Sequence, residues 1–139
     1  THDLRWDDAG CSRLFDGFLR ACRAVGMEHL VAPLRLPSSI AGRVLAHHGL
    51  SFDVIYLDGS HEAGDVFTDC RLFWPMCRGI LVGDDWHDER FSVGRGVIRF
   101  LEVEGIPFHR LQLADGFWAV ARGEEDGFND SAMGREDES

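Results

Sequence analysis

The sequence is short of positive charge: 14 Lys and Arg stand against 24 Asp and Glu, a formal net charge of −10. That balance argues against nucleic-acid backbones and anionic membranes as partners, since both are bound through cationic surfaces. Long apolar runs are missing too. None approaches the ~20 residues that span a bilayer, and no signal-peptide pattern opens the chain, so a soluble cytoplasmic protein is expected. The four cysteines (Cys11, Cys22, Cys70, Cys77) form no CxxC pair and share no zinc-type spacing with histidine. This predicts reduced, structural thiols, with Cys70 and Cys77 packed on one helix face. No internal repeat is present.

What the chain does have is ordinary globular composition, 45% hydrophobic and 27% charged over 139 residues, enough for one domain with a real core. The acid is partly concentrated at one end. Residues 123–139, GEEDGFNDSAMGREDES, hold seven carboxylates and one Arg. With almost nothing apolar to bury, they are expected to form a disordered tail beyond an α/β domain at residues 1–122.

Hydrophobic spacing divides that domain. Leu14, Phe15, Phe18, Cys22 and Val25 recur at helical intervals, with Ser12 as N-cap and Gly26 as stop. HLVAPL (29–34) reads as a strand. A second helix is predicted from about Ser38 to His48, with Ile40, Ala41, Val44, Leu45 and His48 on one side and Gly49 ending it. FDVIYLD (52–58) reads as a central strand buried on both faces. Val66, Phe67, Cys70, Phe73, Trp74 and Cys77 define the next helix, and residues 79–83 the next strand. Val93, Val97, Phe100 and Leu101 mark a last helix, closed by Gly105. PFHRLQL and FWAVA, joined through Ala-Asp-Gly, read as an antiparallel pair. Regular alternation of helix and strand predicts an α/β fold, a mostly parallel open sheet covered by helices with an antiparallel hairpin at its end.

Ligands in such sheets bind beyond the carboxyl ends of the strands. Two successive strands end there in acid: FDVIYLDGSH delivers Asp58 and His61, and ILVGDDWHDE delivers Asp84, Asp85 and His87, followed by Asp88 and Glu89. Carboxylates crowded together repel one another. If the two strands are neighbours, about 5 Å apart, Asp58, Asp84 and Asp85 converge into an oxygen-rich set suited to a hard divalent cation, Mg2+ above all. The cation would cancel the repulsion. His61 is the candidate general base, and His87 a weaker one. Against this, Asp58 or Ser60 could simply cap the helix that starts near Glu62. His47 and His48 read as capping or surface residues, Asp65 and Asp69 as a solvated helix face, and Trp74 and Trp86 as packing, although Trp86 could line a pocket beside the acids.

The stretch FDVIYLDGSHEAGDVFTDCRLFWPMCRGILVGDDW resembles the centre of class I S-adenosylmethionine-dependent methyltransferases. The subgroup it is most similar to has a strand ending in Asp-Gly-x-His and a glycine-led strand ending in Asp-Asp, and includes small-molecule O-methyltransferases. GVIRFLE and FHRLQLADGFWAVAR fit the same Rossmann-like fold, whose last strand is antiparallel. The resemblance covers residues 1–122. It implies that Asp58, Asp84 and Asp85 hold Mg2+, that His61 is a base or substrate contact, and that Asp3 and Ser38 or Ser39, with Asp58, lie at the cofactor. It also implies a Gly-rich cofactor turn ahead of Asp3, where the 139 residues hold none. A longer gene product, strands supplied by a second chain, or loss of cofactor binding would each account for that.

The function expected from this resemblance is a Mg2+-assisted O-methyltransferase of a small molecule, or the C-terminal part of one. A non-catalytic remnant that associates with a second copy through an exposed sheet edge is the alternative. A metal-dependent hydrolase using the same acids ranks lowest, because no nucleophile motif accompanies them.

Overall fold

The computed structural model describes residues 13–87, 90 and 92–124. The chain divides into two units, residues 1–35 and 36–139. In the first, helix α1 (Arg13–Ala24) is followed by a 3-10 turn (Glu28–Leu30). Gly26 stops α1 as expected: its own N–H and that of Met27 bond back to the carbonyls of Arg23 and Cys22. The expected N-cap, Ser12, lies outside the described residues. The apolar spacing of α1 does not bury it. None of its residues is buried, and Leu14 and Phe18 are exposed. HLVAPL is not a strand; its start forms the 3-10 turn, and no sheet partner exists for it among the described residues.

The second unit contains helices α2 (Ser38–His47), α3 (Ala63–Phe73) and α4 (Val93–Glu104). Its strands are β1 (Phe52–Leu57), β2 (Cys77–Gly83), β3 (Leu111–Ala114) and β4 (Phe117–Ala121). The sheet order is β1-β2-β4-β3. β1 and β2 are parallel, whereas β4 is antiparallel to both β2 and β3. The fold is therefore α/β with a mixed sheet, not the mostly parallel one expected. The closing hairpin stands at one end of the sheet as expected, joined to it through β4.

Local chemistry explains the elements. α4 ends at Gly105, whose φ of +67° allows a left-handed turn that lets Ile106 N–H reach the Leu101 carbonyl. Gly49 closes α2 in the same way. The β3–β4 turn is Asp115-Gly116, both with positive φ, the geometry that matches the twist of a two-residue hairpin. Pro75 corrects the long third helix expected from spacing. It cannot donate a backbone hydrogen bond and clashes with the preceding turn, so α3 gives way to a 3-10 turn (Trp74–Met76) and Cys77 opens β2. Cys70 and Cys77 thus share the core but not a helix; both are fully buried.

The core lies between one sheet face and α3 and α4, where Ile55, Leu81, Trp118 and Val120 meet Val66, Cys70, Val97, Phe100 and Leu101. Trp74 stands edge-on to Phe100, and Arg122 lies over its ring while bonding the Trp74 and Cys77 carbonyls. α2 packs on α3 through Gly42, where a Cβ would stand 2.5 Å from Leu72. Its apolar Ile40 and Val44 stay exposed. β1 is also not buried on both faces. It is an edge strand whose Ile55 is in the core while Val54 and Tyr56 are exposed at 61% and 48%.

Candidate metal centre

Leu57 stands opposite Gly83 in the parallel β1–β2 pair, so both strands finish level. The residues that follow, Asp58 and Asp84, therefore leave the sheet side by side. Asp85 takes a φ of +56°, a left-handed conformation that aspartate tolerates better than most side chains. The turn brings its carboxylate back towards the β1 end. His61 Nε2 lies 2.9 Å from Asp85 Oδ2 and 4.0 Å from Asp58 Oδ1. The closer contact lies off the hydrogen-bond line. Asp58, His61, Asp84 and Asp85 each offer a ligand atom, all within 4.8 Å of one another. Asp58 is exposed and the other three are half-buried.

Neighbouring elements hold these residues in place. The Ser92 N–H donates to the His61 carbonyl at 3.0 Å, and the Ser92 hydroxyl accepts from Ala63 N–H at 2.8 Å. Ser92 thereby caps α3 from a distant loop and ties the His61 segment to the start of α4. Neither Asp58 nor Ser60 is the side-chain cap of α3; Ser60 accepts a 3.3 Å bond from Glu62 N–H and donates to Asp65 at 2.6 Å. On the other strand, Trp86 N–H donates to the Gly116 carbonyl at 3.0 Å, fastening the Asp84–Asp85 loop to the hairpin turn. Trp86 packs against the core and Gly94, as the packing reading expected.

The acids border a hollow whose lining includes Val66, Asp69 and Trp118. Trp118 is almost fully buried. Its indole edge lies over Gly83, and its Nε1 has no hydrogen-bond partner. Asp69 is not simply a solvated helix residue. Partial burial holds its carboxyl above the usual range, opposed by a 2.9 Å hydrogen bond donated by Ser38. Tyr56, absent from the sequence-level candidates, donates its hydroxyl to Asp84 Oδ2 at 2.8 Å. That bond, with the nearby negative charge of Asp84, Asp58 and Asp85, pushes the phenol up to about 12.

The sequence-level set is thus assembled in part. Asp58, His61, Asp84 and Asp85 come together, while His87 is exposed and stands apart from the group. Asp88 and Glu89 lie outside the described residues. Of the cofactor candidates, Asp3 also lies outside them, Ser39 is exposed, and Ser38 reaches the hollow through Asp69. The donor set fits a divalent cation that favours oxygen, with one imidazole nitrogen available. Ser92, Asp69 and Tyr56 carried no local signal; each acts through a partner 28 or more residues away.

No family model, curated protein or solved structure matches the chain. No helix among the described residues is long and apolar enough to cross a membrane.

Proposed function

We propose that this chain carries the Mg2+-assisted acceptor site of an S-adenosylmethionine-dependent O-methyltransferase of a small molecule, or of its C-terminal part. The observation that carries the reading is the convergence of Asp58, His61, Asp84 and Asp85, with ligand atoms within 4.8 Å, at the ends of two adjacent parallel strands. Support also comes from β4, which runs antiparallel as the resemblance implied. Asp58, Asp84 and Asp85 are the residues that would hold the cation, which supplies Lewis acidity towards a bound hydroxyl. His61, whose Nε2 lies 2.9 Å from Asp85 Oδ2, is the base that takes the hydroxyl proton. Bound S-adenosylmethionine would supply the sulfonium methyl and leave as the neutral thioether, so that the contribution of these residues would be chiefly one of positioning. Ser38, bonded to Asp69 at the wall of the hollow, is the cofactor contact that the arrangement favours.

Calorimetry tests this directly. Mg2+ should bind the wild-type chain and not the Asp84→Ala, Asp85→Ala double variant, and S-adenosylmethionine should bind with Mg2+ present. Full methyl transfer by the double variant would refute the metal role.

A second reading, a non-catalytic module that associates through its sheet, is favoured by the edge position of β1 and the exposure of Val54 and Phe117. Light scattering showing a stable dimer, together with no uptake of S-adenosylmethionine, would select it.

A further inference from the structure

One carboxylate of the cluster is held from outside it. Strand alternation sends Ile55 into the core and Tyr56 to the opposite face of β1. Tyr56 pairs with Val82, and Asp84 lies two residues further along that neighbouring strand's path. A diagonal neighbour at this spacing is within reach of a long aromatic side chain. The Tyr56 hydroxyl covers that distance and donates to Asp84 Oδ2 at 2.8 Å. Tyr56 is not among the residues that line the hollow. A hydrogen bond to Oδ2 restrains rotation of the carboxylate.

We propose that Tyr56 is a positioning residue of the cation site, orienting Asp84 from the far face of the sheet as outer partners orient metal ligands elsewhere. The inference rests on the cation reading given above. It goes further in naming a residue whose role is to set the affinity of that site without contacting its occupant. Tyr56 is the chain's sole tyrosine, and replacing it by Phe removes one hydroxyl while keeping the ring.

The test is Mn2+ binding at neutral pH, followed by calorimetry for the wild type, Tyr56→Phe and Val54→Ala. Val54→Ala alters the same exposed face of β1 two residues earlier and controls for loss of that face. Tyr56→Phe should bind Mn2+ roughly 10- to 100-fold more weakly, the usual cost of losing an outer partner of a metal ligand. Val54→Ala should bind like the wild type, and Tyr56→Phe should remain cooperatively folded without metal, its melting temperature lowered by no more than the loss of one exposed hydrogen bond. Equal affinity of Tyr56→Phe and wild type would overturn the positioning role while leaving the cation site standing. Equal weakening in both variants would also overturn it, since the effect would then belong to the face. Absence of Mn2+ binding by the wild type would overturn the cation reading and this inference with it.

Discussion

The backbone of Leu57 pairs with that of Gly83, and this one register decides where the chemistry can be. It ends two parallel strands at the same height, so that Asp58 and Asp84 emerge as neighbours. A slip of one residue would send one of these carboxylates to the opposite face of the sheet. The room for this arrangement is limited, because Gly83 is itself pressed against the Trp118 indole.

Gly83→Ala should therefore destabilise the protein. The added Cβ would stand 2.7 Å from the indole of Trp118, which is 1% exposed. Overpacking of this kind costs about 1–3 kcal/mol, measurable as a lower urea midpoint with an unchanged slope. A midpoint equal to that of the wild type would show that the indole can move aside.

Ser92→Ala should loosen both α3 and the His61 segment. The hydroxyl lost is the one that accepts from Ala63 N–H, and removal of a capping oxygen costs ~1 kcal/mol. Hydrogen exchange should quicken at the first amides of α3, and that of Ala63 is the one to follow. Unaltered exchange there would mean that the remote cap contributes nothing.

The Tyr56 phenol can be followed alone, since the chain has no second tyrosine. Its absorbance at alkaline pH should change with a midpoint near 12, and Asp84→Asn should lower that midpoint. The folded value is raised above the ordinary one. The hydrogen bond's contribution to stability is therefore complete below pH ~10 and is lost as pH climbs through the folded value. A wild-type midpoint at the ordinary phenol value would contradict the Asp84 hydrogen bond.

Thiol labelling should distinguish the cysteines. Burial pushes the Cys70 thiol up to about 12 and raises that of Cys77 as well. Because the thiolate is the nucleophile, neither should react with iodoacetamide at pH 8 in the native protein, whereas half-buried Cys22 should. Labelling of Cys70 at the rate seen in urea would indicate that the α3–sheet core opens readily.

Several features were legible in the residues alone because they depend on neighbours close in sequence. Gly26, Gly49 and Gly105 stop their helices where a left-handed residue is required, and Asp115-Gly116 turns the hairpin. Asp58, Asp84 and Asp85 could be placed at strand ends because their strands are short apolar runs, whereas adjacency of β1 and β2 was a condition that the structure met. Only the tertiary structure decided which surfaces are covered and what holds the acids. β1 reads as buried on both faces, yet it lies at an edge with Val54 exposed. Ile40 and Val44 read as lying on one side of their helix, and the structure leaves both exposed while α2 meets α3 through Gly42. Tyr56 reaches Asp84, and Ser92 reaches Ala63 and His61, across gaps of 28 to 31 residues. Hydrophobic period and turn chemistry act within a few residues, so they specify elements and their ends. Burial and hydrogen bonding between distant segments depend on which elements pack together, and no local pattern encodes that.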